Sequence, residues 1–151
     1  MQTIEQLIAT LQTKIDNHEK VNKNVSASSV GWHIEHVAKV LGRVTTAINN
    51  SDPANFKSNF SFARTVVFAM NKIPRGKGRA PDASLPDGVI TKESLQTSIA
   101  KAKEKVKELY KIDTNKYFEH PYFGQVQLKG CIKFLTIHTN HHLKIINDIL
   151  K

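Results

Sequence analysis

Apolar residues recur along most of this chain in alternating steps of three and four, the spacing that collects them on one face of an α-helix. Ile4, Leu7, Ile8, Leu11 and Ile15 mark a first helix over residues 2–17. A polar stretch from Asn17 to Ser29 follows, and its serines are able to cap the next helix. That second helix carries Val30, Ile34, Val37, Leu41, Val44 and Ile48 and runs to residue 49, where Ser51-Asp52-Pro53 stops it. A third helix, over 54–71, is aromatic, with Phe56, Phe60, Phe62 and Phe68 beside Val66, Val67 and Met70. Periodicity then disappears over 73–90, a proline- and glycine-containing loop of a length that is usually functional or disordered inside a compact domain. Thr91 caps a fourth helix reaching residue 110, with Leu95, Ile99, Ala102, Val106 and Leu109 as its stripe. The last helix carries Leu128, Cys131, Leu135, His138, His142, Ile145 and Ile149. One-sided helices joined in this way predict an all-α fold: a four-helix bundle with an additional helix, in a single domain over 1–151. Strands are not expected.

The last stripe is the informative one. Two of its seven positions are imidazoles one turn apart, on a face that packing alone would fill with aliphatic side chains. A buried imidazole needs partners for its ring nitrogens, and a pair at i, i+4 projects from one side of the helix, where a single ion can bridge it. A catalytic zinc-type centre takes three protein ligands and keeps one position open, so a third ligand is required from a facing helix. The second helix offers Trp32-His33-Ile34-Glu35-His36. At about 100° per residue, His33 lies nearer the centre of that helix's apolar stripe, and His36 lies further round, beside Trp32 and Val40. Periodicity favours His33 slightly and leaves His36 in play. His141 points about a third of a turn from the pair, as a surface residue or a donor behind the ligands. The competing reading is that each imidazole is a hydrogen-bonded core residue. The zincin pattern His-Glu-x-x-His is absent.

Other side chains carry chemistry more weakly. Arg75, Lys77 and Arg79 in the long loop can hold a substrate carboxylate or phosphate, or can simply be solvated. Glu35 is placed either as a general base or as a surface carboxylate. His120-Pro121-Tyr122-Phe123-Gly124 is expected to pack against the end of the bundle and direct the last helix, with Gly124 in a turn conformation that other residues resist. His120 then either lines the mouth of the site or is a structural hydrogen-bonding residue.

Composition narrows the setting. The N-terminal MQTIEQLIATL is amphipathic rather than a signal peptide, and no run approaches the ~18 apolar residues of a membrane span. The single cysteine excludes an internal disulfide, and its place on an apolar stripe reads as core. A soluble cytoplasmic protein is expected. Lysine and arginine number 22 against 13 acidic residues, for a net charge of +9. The basic residues are spread over solvent faces and one loop, without a dense cluster alternating with aromatics, so nucleic acid is not the expected partner.

The segments SVGWHIEHV, IPRGKGRAP, HPYFG and FLTIHTNHHLKIINDIL, in this order and spacing, resemble the DinB/YfiT-like superfamily of metal-binding helical bundles, in a branch of small bacterial proteins. The resemblance implies an up-down-down-up four-helix bundle with a divalent ion between its second and last helices. Carried over position by position, it implies His36, His138 and His142 as the ligands, with His33 in reserve. It also implies a metal-dependent enzyme, of hydrolase or thiol S-transferase type, since relatives include thiol-dependent transferases and a maleylpyruvate isomerase. Zn²⁺ or Ni²⁺ is the implied ion. The partners that follow are a small-molecule substrate, anionic or a low-molecular-weight thiol, and a second copy of the chain as a homodimer. A non-catalytic metal-binding protein is the alternative.

Overall fold

The computed structural model describes residues 2–76 and 81–151. Among these, five α-helices and one two-stranded hairpin make up the regular structure. Helix α1 (Ile4–Gln12) starts at a capping box in which the Thr3 hydroxyl and the Gln6 side chain satisfy each other's backbone amides. It is shorter than its stripe suggests: the chain tightens into a 3₁₀ turn at Ile15–Asn17, which still carries Ile15 into the core. Helix α2 (Val30–Asn50) is capped by the Ser29 hydroxyl, which accepts from the Trp32 amide. Helix α4 (Lys92–Leu109) is capped by Thr91, and α5 (Leu128–Ile149) ends the fold. No helix among the described residues is long and apolar enough to cross a membrane.

The aromatic segment departs from expectation. Only Phe62–Met70 forms helix α3; Pro53–Asn55 is a 3₁₀ turn, and residues 56–60 are irregular. The reason lies in tertiary hydrogen bonds. The Lys57 amide donates to the Gln125 side chain at 2.6 Å, and the Asn59 side chain donates to the Phe123 carbonyl at 2.9 Å, so this stretch is held open.

The partner in those bonds is the unexpected hairpin, which makes the fold mostly helical rather than all-α. Strands β1 (Tyr117–His120) and β2 (Gly124–Gln127) pair antiparallel, with Phe118 opposite Val126 and His120 opposite Gly124. The three residues between the strands are followed by Gly124 at φ +68°, the left-handed conformation this loop length favours. β2 runs directly into α5, and both strands rest on α5, so the hairpin sets the direction of that helix.

Helix α2 is central, packing against both α4 and α5, while α1 packs against the same two helices. Their stripes meet in a core that includes Leu7, Leu11, Ile34, Leu41, Leu95, Ile99, Leu109, Leu135 and Ile146, all fully or nearly fully buried. Each such side chain contributes about 1.5–3 kcal/mol by leaving water. That packing holds the facing surfaces of α2 and α5 in register, and the histidines lie on those surfaces.

Candidate metal centre

The imidazoles of His36, His138 and His142 converge. One nitrogen from each lies within 4.8 Å of the others, and their ring centroids are 4.6–5.2 Å apart. His138 and His142 are brought together by the single turn between them on α5, and His36 reaches them across the α2–α5 interface. His36 and His142 are buried, and His138 is half-buried. Among the described residues, no cysteine or carboxylate joins this group. Cys131 is engaged elsewhere, donating to the Val126 carbonyl at 2.9 Å.

Each ring is oriented by what surrounds it. His36 Nδ1 lies 2.8 Å from the Ser84 carbonyl, and a carbonyl only accepts, so the proton of this ring sits on Nδ1. Its Nε2 lone pair therefore faces His138, whose Nε2 is 3.3 Å away. The Trp32 indole stacks on His36 at 5.1 Å and 9°, which fixes the plane of the ring. His142 presents Nδ1 to His33 Nδ1 at 2.9 Å, and His33 Nε2 meets the Ser26 hydroxyl at 3.0 Å. Phe134 lies 5.6 Å from His138 and carries the aromatic wall on to Phe123 and His120.

Burial decides the charge state. Desolvation lowers the pKa of all four imidazoles, and that of His33 falls to about 4. For His33, His138 and His142 the neighbouring imidazoles push the same way. For His36 the bond to Ser84 opposes the shift without cancelling it. At neutral pH the cluster is uncharged, the state in which imidazole nitrogens coordinate a cation.

The other residues singled out in the sequence are distributed as follows. His33 does point inward, as its periodicity indicated, but it sits behind His142 rather than in the group of three. His141 is half-buried beside His142 and bonds the backbone of Ile73, docking the start of the long loop on α5. Arg75 forms an ion pair with Asp148 of α5 at 2.7 Å, close enough to His33 and His141 to lower both. Lys77 and Arg79 lie outside the described residues. His120 Nδ1 accepts from the amides of Tyr122 and Phe123, at 3.1 and 3.2 Å, so this ring fastens the hairpin turn. Glu35 lines a separate cleft of about 590 Å³ between α2 and α4, with Lys39, Arg43 and Lys101.

Sequence reasoning missed two supports of the cluster, the Ser84 carbonyl and the Ser26 hydroxyl, and named Trp32 only as a neighbour of His36 on its helix. A backbone carbonyl leaves no residue-type signal, and Ser26 read only as part of a polar stretch able to cap a helix. Trp32, one turn before His36, was the one visible sign.

Fold and cluster together define a mostly helical protein with three neutral imidazoles gathered between two of its helices. The family model for the DinB superfamily matches residues 3–146, nearly the whole chain, and the chain belongs to that superfamily. Comparison with curated proteins and with solved structures found no match.

Proposed function

We propose that the protein is a metal-dependent enzyme that binds a divalent ion, Zn²⁺ or Ni²⁺, through Nε2 of His36, His138 and His142. The observation that carries this reading is the orientation of the three rings. The Ser84 carbonyl holds the His36 proton on Nδ1, His36 Nε2 lies 3.3 Å from His138 Nε2, and His142 turns its Nδ1 toward His33, which leaves its Nε2 for the group of three. The donor set fits such an ion: imidazole suits both metals, and burial keeps all three rings neutral. The mutual contacts of α1, α2, α4 and α5 support the four-helix arrangement of the superfamily, with α3 and the hairpin added to it.

Three protein ligands without a fourth leave room for water or a substrate atom, whereas structural zinc sites are closed by four. When bound, the ion supplies Lewis acidity toward water or a thiol, which is the basis for proposing hydrolysis or thiol transfer. The rest falls to the protein. Trp32 and Ser84 orient His36, and His138, half-buried beside Phe134, is the ring by which a substrate would reach the group. Arg75, which pairs with Asp148 near His141, is proposed to attract an anionic substrate, and Lys77 and Arg79 belong to the same proposal.

The test is elemental analysis and metal titration of protein purified without a nickel column, followed by turnover assays on ester, amide and thiol-acceptor substrates. Alanine at His36, His138 or His142 is expected to lower affinity by more than the ~10–100-fold of an outer-shell change. A chain that binds neither Zn²⁺ nor Ni²⁺ nor other divalent ions overturns the proposal. The burial of His36 and His142 favours one second reading, an ion that only ties α2 to α5. In that case a chelator lowers the melting temperature and no substrate is turned over.

A further inference from the structure

Behind His142 runs a chain of hydrogen bonds that ends in the loop before α2. The Ser28 amide donates to the Ser26 hydroxyl at 3.1 Å, Ser26 meets His33 Nε2 at 3.0 Å, and His33 Nδ1 meets His142 Nδ1 at 2.9 Å. Two imidazole nitrogens at that distance share one proton, so the chain has two directions. In the first, His33 holds the proton on Nδ1 and donates it to His142, whose own proton then lies on Nε2. The nitrogen left for the group of three has no lone pair in that case. In the second, His142 donates from Nδ1 to His33, and His33 donates from Nε2 to Ser26. Only the second direction leaves the His142 Nε2 lone pair free for an ion.

We propose that His33 is a positioning residue for the metal centre: as a neutral acceptor backed by Ser26, it holds His142 in the Nδ1–H tautomer that coordinates. This inference rests on the metal reading of the site and goes beyond it. The acceptor behind a metal-bound histidine is usually a carboxylate, a backbone carbonyl or water. Here the site uses both an uncharged ring, at His142, and a carbonyl, at His36. Neither adds negative charge, so the full positive charge of the ion is left for substrate. His33 is buried, with 4 % of its surface exposed, and makes an edge-on ring contact with Trp32 at 5.1 Å, so it is held where the acceptor must be. Ser26 is itself fixed by the Ser28 amide, and the loop that carries it is closed by the Ser26 amide bonding the Asn22 carbonyl at 2.9 Å.

Two measurements test this. Long-range ¹H–¹⁵N correlation spectra of the Zn²⁺-loaded wild-type protein should show His142 protonated on Nδ1 and His33 protonated on Nε2. A His33 ring protonated on Nδ1, or one with the shift of a metal ligand, overturns the inference. Competition titrations with a chromophoric chelator then compare variants. His33→Leu keeps the bulk and removes the acceptor, and is expected to weaken Zn²⁺ binding ~10–100-fold. His33→Asn returns an acceptor oxygen to the Nδ1 position and should recover most of that loss. Ser26→Ala should weaken binding less than His33→Leu does. Circular dichroism of the metal-free variants checks folding, and if His33→Leu does not fold, the Asn and Ser26 variants and the wild-type spectra still decide. Unchanged affinity in folded His33→Leu overturns the role of His33 while leaving the metal centre standing. Absence of binding by wild-type protein overturns the metal centre itself.

Discussion

His36 donates from Nδ1 to the carbonyl of Ser84, 48 residues further along the chain, at 2.8 Å. A loop without periodicity thereby becomes part of the candidate centre. Lys39, one turn beyond His36 on α2, fastens that loop by donating to the Leu85 carbonyl at 3.0 Å and by pairing with Asp87. Replacing Lys39 with Met should loosen the Ser84 carbonyl from His36. The expected loss is about 1 kcal/mol, the net worth of one hydrogen bond, which reads as about fivefold weaker Zn²⁺ binding. Asp87→Asn should change little, because Asp87 is 89 % exposed and surface pairs contribute little. Equal affinities for wild type and Lys39→Met would mean that the loop is held by other contacts.

His120 predicts a pH dependence that can be isolated from the metal centre. Burial lowers its pKa to about 4 from the ordinary 6.5, and its Nδ1 is the acceptor for two backbone amides. Below pH 6.5 the unfolded chain takes up a proton that the folded ring refuses. The stability linked to His120 is therefore complete above pH 6.5 and declines as the pH falls toward 4. The effect is on the order of 3 kcal/mol. His120→Asn keeps an acceptor and does not titrate, so its melting temperature should vary less than that of wild type between pH 6.5 and 4. His120→Ala should cost about 1–3 kcal/mol at neutral pH, because two amides lose their acceptor. Parallel pH profiles for wild type and His120→Asn would refute this.

Gly124 is required twice over. Its φ of +68° disfavours any side chain, and a Cβ there would collide with the Asn59 amide group that bonds the Phe123 carbonyl. Gly88 has a similar φ of +77° with open space around it. Alanine at Gly88 should therefore cost only the backbone strain, about 1–2 kcal/mol. Alanine at Gly124 should cost more, because the 56–60 segment must also move. Denaturant melts of the two variants compare them directly, and equal losses would show that Asn59 yields freely.

Cys131 is expected to be inert. Burial pushes its thiol up to about 12, and its Sγ is engaged with the Val126 carbonyl. The native protein should not react with Ellman's reagent at pH 8, whereas the denaturant-unfolded protein should react fully. Prompt reaction of the folded protein would contradict this. Any thiol used at the proposed centre would therefore have to come from a substrate.

The helices that build the core were legible because each has a long stripe, and α2 and α4 also carry a start signal. Ser29 and Thr91 cap α2 and α4 at the positions their residue types suggest. The hairpin was not legible. Its strands are four residues each, too short for alternation to stand out, and they are stabilised by Arg64, Asn59 and Lys57 from a distant segment. The same bonds explain why α3 is shorter than its aromatic pattern. At the cluster, periodicity favoured His33 and left His36 at the edge of the stripe, whereas both are buried. It could not tell which of them joins His138 and His142, because that depends on how α2 is rotated against α5.

The three imidazoles are not equivalent in the order in which folding assembles them. His138 and His142 become neighbours whenever a single turn of α5 forms, whereas His36 reaches His138 only after 102 residues of chain have closed on themselves. A divalent ion present during refolding therefore meets a two-nitrogen half-site long before the complete one. Captured there, it would favour the helical form of α5 and reward the docking of α2 with a third bond. Refolding in the presence of the ion would then be faster than in its absence, and the gain would vanish when either partner on α5 is removed.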